Sequence, residues 1–199
     1  MVDLHRQYLG IRDEVDRAIG DVIAETAFIK GPAVGLFEEE LARRLEVRHC
    51  IACGNGTDAL LLSLLAVGLQ RGDEVIVPAP YWVSYYEMVR LFGGVPVVVN
   101  VSEEQGFQLT PEQLEHAITD KTKAIILNNP SNPTGAVYPK EALKAVADVC
   151  VKHDLYIISD EIYDKLVYDG VPFTSVAALS DEIKAHTVSY THLTLPTIA

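Results

Sequence analysis

The sequence is short of the features that mark several large functional classes. It has three cysteines in 199 residues, an odd number that does not suit a disulfide framework. Its opening stretch, "MVDLHRQYLGIRDEVDRAI", is too charged for a secretory leader, so free thiols in a reducing cytoplasm are expected. Basic residues are scarce: 16 Lys and Arg stand against 28 Asp and Glu, a formal charge of −12 with a pI near 4.8. That balance argues against nucleic acid or an anionic membrane as a main partner. No apolar run is long enough to cross a bilayer, and no internal repeat or low-complexity segment breaks the pattern. There is a single tryptophan. What remains is a chain that is 49% hydrophobic and long enough for a substantial core.

Apolar positions at helical spacing predict helices over residues 11–27 and 34–47, separated by the Gly/Pro break "FIKGPAV". From about residue 49 the rhythm changes. "CIAC" reads as a strand, "TDALLLSLLAVGL" as a helix, "DEVIVP" as a strand, "YWVSYYEMVRLFGG" as a helix and "VPVVVNV" as a strand. "TPEQLEHAI" begins with a helix-start signature, Thr110 as cap, Pro111 first and Gln113 three residues on. The strand "KAIILN", the helix "PKEALKAVADVCVKH" and the strand "LYIIS" follow. This alternation predicts an α/β fold with a mostly parallel sheet flanked by helices. Such sheets bind ligands beyond the carboxyl ends of their strands.

The residues just after the strands are therefore the informative ones. Gly54 and Gly56 in "CGNGTDAL" allow close backbone approach, and Thr57 is placed to cap the next helix, a natural phosphate cradle; a plain Gly turn with a Thr cap also fits. Gly54, Gly56 and Ala59 match a dinucleotide-binding G-x-G-x-x-A, but Asp73 and Glu74 precede their strand instead of ending it, which disfavours that use. Trp82 sits where the chain leaves the sheet and offers a flat face for stacking, or a core contact. "NNPSNPTG" is a rigid turn whose Asn129 and Asn132 can aim amides at a ligand oxygen. "DLYIISDEIYDKL" ends an apolar strand in Asp160, a carboxylate costly to desolvate unless a cation meets it, with Tyr163 three residues on. Cys50 and Cys53 form a C-x-x-C, but in a strand they would face opposite sides, so no metal or redox role is expected. A phosphate loop, a stacking ring, an amide, a carboxylate and a phenol on one sheet edge together describe a site for pyridoxal 5′-phosphate.

Residues 72–188 resemble class I aminotransferases of the aspartate aminotransferase type, fold type I, through "GDEVIVPAPYWVSYYEMV", "TPEQLEHAITDKTKAIILNNPSNPTG" and "HDLYIISDEIYDKLVYDG". The resemblance implies an incomplete large domain of that fold. In it Trp82 stacks on the pyridine ring, Asn132 and Tyr163 bond the cofactor's 3′-oxygen, and Asp160 pairs with the ring nitrogen. The cation that Asp160 faces is then a pyridinium. Residues 2–71, through "FIKGPAVGLFEEELARRLEV" and "CGNGTDALLLSL", resemble instead the DegT/DnrJ/EryC1 sugar aminotransferases, in which Gly56-Thr57 correspond to the phosphate loop. A chimera joined near "GDEVIVPAP" is expected: residues 1–48 a helical segment, 49–188 a partial cofactor-binding domain, and 189–199 a non-native tail resembling neither family.

Both resemblances imply amino-group transfer. The first implies an amino acid and a 2-oxo acid as partners, the second a nucleotide-sugar, and the parent enzyme is expected to be a cytoplasmic homodimer. The family's Schiff-base lysine lies beyond residue 188, yet no lysine follows Lys184 and no arginine follows Arg90. Lys165 and Lys184 read as surface residues, so the chain is expected to bind the cofactor without a covalent link and to catalyse little. The 1–71 segment is expected to leave apolar surface exposed.

Overall fold

In a computed structural model, residues 3–190 are described, and they fall into two compact units that meet in sequence at Gly54 and Asn55. The first unit carries α1 (Leu4–Ala24) and α2 (Pro32–Arg44). Asp3 caps α1 by accepting from the Arg6 N–H, and Pro32 opens α2 at a position where its missing N–H costs nothing. Neither helix buries a residue, and Phe28, Ile29 and Leu36 stand exposed, as expected of this segment.

The strand expected at "CIAC" does not form. The Ala52 N–H, which a sheet would have used in a ladder, donates to the Glu38 carboxylate of α2 at 2.8 Å. The facing argument for Cys50 and Cys53 lapses with the strand. Burial, with the nearby Glu38 carboxylate adding to it, pushes the Cys50 thiol above its ordinary value, which leaves it a poor nucleophile.

The second unit is a three-layer α/β sandwich. Its elements are α3 (Gly56–Ala66), β1 (Glu74–Ala79), α4 (Ser84–Leu91), β2 (Val95–Asn100), α5 (Pro111–Ala117), β3 (Thr122–Asn128), α6 (Lys140–Lys152), β4 (Tyr156–Asp160), α7 (Asp181–Ala185) and β5 (Thr187–Tyr190). The strands form one sheet in the order β2-β1-β3-β4-β5, and each pairing is parallel. β5 was not foreseen; its four residues are too short a run to read as a strand alone, and it forms by pairing with the buried edge of β4. The start of α5 follows the sequence: Thr110 and Gln113 exchange hydrogen bonds as a capping box.

Side-chain alternation along the strands divides the core. Ile76, Ile125, Leu127 and Ile157 pack against α5, α6 and α7 on one face, with Leu114, Leu143, Val146 and Ile183 among the partners. Val75, Val77, Ala124, Ile126 and Ile158 pack on the other face with Leu60 and Leu64 of α3 and Tyr85, Met88 and Val89 of α4. Burial on both faces explains why these strands read as continuous apolar runs.

Candidate cofactor site

The strand order reverses direction between β1 and β3, and the crevice at such a switch point is where doubly wound sheets take ligands. A cavity of about 20 Å3 opens there, lined by Pro78, Pro80, Tyr85, Asn128, Asn132 and Tyr138 among others. That is room for about one water, so anything larger must lie over the rim.

Asp160 is the last residue of β4 and only 5% exposed. It shares a face with Ile158, the side of the sheet covered by α3 and α4. Its Oδ2 accepts a 2.5 Å hydrogen bond from the Tyr85 hydroxyl, and its Oδ1 accepts from the Ile162 N–H at 3.2 Å. Tyr85 is 2% exposed. Burial, the Asp160 charge and their hydrogen bond all push its phenol well above the usual range, so Tyr85 keeps its proton. Sequence inspection missed Tyr85. The available signal was its place three residues after Trp82, one helical turn away in a run that also buries Met88 and Val89.

The asparagines are laid out by backbone hydrogen bonds to the same strand end. The Asp160 carbonyl accepts from the Asn129 N–H and from Asn128 Nδ2, each at 3.0 Å. Asn128 Oδ1 in turn accepts from the Asn132 N–H at 2.6 Å. Gly135, at φ +71°, closes the turn with its N–H on the Ser131 carbonyl. No described hydrogen bond uses the Asn132 side-chain amide, whereas Asn129, fully buried, has its Oδ1 on the Tyr138 N–H and its Nδ2 without a partner. Of the two candidate amides, Asn132 is the one at the cavity and Asn129 is internal.

Gly56 and Thr57 open α3, but the cap is Asn55, not Thr57. The Asn55 Oδ1 accepts from the Asp58 N–H at 2.9 Å, which leaves Thr57 inside the first turn. The Gly56 and Thr57 N–H groups appear in no described hydrogen bond, as an anion cradle requires. Gly56 also has to be glycine, since a Cβ there would overlap the hydroxyl of Tyr190. Tyr190 stands beside Asp160 in the β4–β5 register, so the helix start closes down on the same edge. Trp82, 47% exposed, passes its carbonyl to the Tyr85 N–H at 3.1 Å. Tyr163 lies in a turn and is half-buried. Contacts thus link Gly56 to Tyr190, Tyr190 to Asp160, Asp160 to Tyr85 and Tyr85 to Trp82, with Asn132 joined through Asn128. Thr57 belongs to this edge only through its neighbour Gly56.

Comparison with known proteins decides the family: the one described as aminotransferase class I and II matches residues 23–191. The chain belongs to this family. It is 54% identical over 162 residues to an aspartate aminotransferase of Bacillus subtilis, covering 81% of this chain and 41% of that protein. An aspartate aminotransferase of Geobacillus stearothermophilus is 49% identical over 160 residues, 80% of this chain and 40% of its own. Among solved structures, the Thermus thermophilus aspartate aminotransferase with maleate is 48% identical with a TM-score of 0.62, over 68% of this chain and 35% of that one. The Rhizobium meliloti aspartate aminotransferase is 31% identical with a TM-score of 0.74, over 90% and 47%. The chain thus spans 40% to 41% of the length of these curated relatives.

Aminotransferases of this family use pyridoxal 5′-phosphate, and the donor set on this edge fits that group. A buried, oriented carboxylate suits a pyridinium, an uncommitted amide suits the phenolic oxygen, a half-exposed indole suits the ring face, and two N–H groups at a helix start suit the phosphate.

Proposed function

We propose that this chain is the cofactor-binding part of an enzyme that moves an amino group between an amino acid and a 2-oxo acid using pyridoxal 5′-phosphate. The observation that carries the proposal is Asp160: a buried carboxylate ending β4, held through both oxygens at the switch-point edge. When bound, the cofactor supplies an electron sink for the α-carbon of the amino acid. Asp160 keeps a proton on the ring nitrogen through its negative charge. Trp82 covers one face of the ring, Asn132 and Tyr163 hold the 3′-oxygen, and Gly56 and Thr57 hold the phosphate.

The test is titration of the chain with pyridoxal 5′-phosphate, followed through quenching of Trp82, the single tryptophan. Saturable quenching in the native chain and its loss in Asp160→Asn are expected. Equal binding by both proteins would refute the proposal.

We also propose that residues 2–71 derive from a sugar aminotransferase of the DegT type. The stretches "FIKGPAVGLFEEELARRLEV" and "CGNGTDALLLSL" support that reading, while the class I and II match, which begins at residue 23, weighs against it. The cofactor-loaded chain is expected to bind an amino acid or 2-oxo acid in preference to a nucleotide-sugar; the reverse preference would assign substrate choice to the N-terminal segment. The full-length parent is a cytoplasmic homodimer on this proposal, which sedimentation of the extended protein tests.

A further inference from the structure

We propose that Tyr85 is the positioning residue of this site: its phenol fixes the orientation of Asp160, and its backbone N–H on the Trp82 carbonyl joins the same residue to the indole, so that ring-nitrogen pairing and ring stacking are set from one position in the chain. The proposal rests on the cofactor reading above. Three observations point to it. The Tyr85 hydroxyl donates to Asp160 Oδ2 at 2.5 Å while the Ile162 N–H holds Oδ1, so rotation of the carboxylate is stopped from two directions. Both donors favour the anionic form. The phenol itself cannot drift, because α4 is anchored by buried Met88 and Val89, and the Tyr85 N–H binds the Trp82 carbonyl at 3.1 Å.

Tyr85 touches neither ring nor phosphate in this scheme; it acts through Asp160 and through the Trp82 backbone. Removing its hydroxyl leaves one Asp160 oxygen without its partner in a buried setting. A hydrogen bond to a charged group corresponds to roughly a 10- to 100-fold change in an equilibrium constant.

The experiment compares two ligands on the 199-residue chain and on Tyr85→Phe, with Kd read from Trp82 quenching. One ligand is pyridoxal 5′-phosphate; the other is its deaza analogue, in which carbon replaces the ring nitrogen. The native chain is expected to prefer pyridoxal 5′-phosphate, and Tyr85→Phe to lose roughly 10- to 100-fold for that ligand with little change for the analogue. An equal loss for both ligands would mean that Tyr85 only supports the fold, and no loss for either would mean that it does nothing for the site; each result overturns the inference. A native chain that does not discriminate between the ligands would overturn the Asp160 reading instead. A second measurement, without ligand, keeps the two apart: Tyr85→Phe retains the backbone N–H on the Trp82 carbonyl, so its Trp82 emission is expected to match that of the native chain, and a red shift would show a loosened segment and overturn the reading of Tyr85 as a positioning residue.

Discussion

Glu161, next to Asp160, is also 5% exposed, yet its partners Ser159, Ser175 and Val176 differ from those of Asp160. Its Oε1 accepts from Ser159 Oγ at 2.8 Å, Ser175 Oγ at 2.9 Å and the Val176 N–H at 3.0 Å, which ties the end of β4 to the short helical turn Val176–Ala178. Burial pushes its carboxyl above the ordinary 4.5, against the pull of those three donors. The neutral form is therefore favoured relative to the unfolded chain, and Glu161→Gln, which keeps an oxygen where Oε1 stands, is expected to be nearly neutral in stability. Glu161→Ala removes the acceptor altogether. The two hydroxyls can rotate toward other partners, but the Val176 N–H is fixed and buried, and leaving it unpaired costs about 1–3 kcal/mol. With the lost packing of the side chain the sum is about 3 kcal/mol, or roughly 6–12 °C in Tm for a chain of this size. Calorimetry of both variants tests this. A Glu161→Ala variant melting within a degree or so of the native chain would refute the accounting. A Glu161→Gln variant as unstable as Glu161→Ala would show that the charge itself is required. The pH dependence gives a second check: between the ordinary value and the raised folded value the native state binds more protons than the unfolded one, so this group's contribution to stability falls as pH rises through that window. Glu161→Gln should lack that component of the slope.

Gly56→Ala places a methyl group against the Tyr190 hydroxyl and is expected to cost about 1–3 kcal/mol by overpacking; denaturant unfolding should show part of that loss recovered in the Gly56→Ala, Tyr190→Phe double variant. Thr110→Ala breaks the capping box of α5 and should cost about 1 kcal/mol in the same assay. Affinity for pyridoxal 5′-phosphate, resting largely on a phosphate charge at the helix start, should fall when salt is raised from low to physiological ionic strength; salt-independent quenching of Trp82 would place the phosphate away from Gly56 and Thr57.

The sheet was legible in the sequence because its strands are buried on both faces and flanked by strong stop signals, as at "DEVIVP" and "KAIILN". The errors fall where a partner outside the local stretch decides. "CIAC" has the composition of a strand, but Glu38, fourteen residues back, takes the N–H that a neighbouring strand would have used. Thr57 looked like the cap because Thr commonly serves as one, yet Asn55 stands one residue before the first helical position and reaches the Asp58 N–H first. β5 carries no signal of its own and exists through its register with β4. The candidate site residues came from positions near the strand ends. Tyr85 was not among them, since a tyrosine in a helix announces nothing until the fold brings Asp160, 75 residues away, within reach.

Strand parity supplies what residue type alone does not at Ser159-Asp160-Glu161. Both carboxylates are buried, both are tied to a distant segment, and by composition either could be the functional one. Asp160 continues the face of Ile158, toward α3, α4 and the order reversal between β1 and β3. Glu161 bonds Ser159, which continues the face of Ile157 toward α6 and α7. One face opens at the switch point and can meet a ligand; the other closes over a turn of its own chain. The same costly feature, a carboxylate removed from water, therefore has two remedies in adjacent residues. Asp160 accepts from the Tyr85 hydroxyl and the Ile162 N–H at the edge where the proposal seats the cofactor, and Glu161 has its charge disfavoured by burial while its oxygen organises the backbone. A shift of one residue in the register of β4 would exchange those roles, so the β3–β4 pairing of Asn128 with Asp160 is as much a part of the site as the aspartate itself.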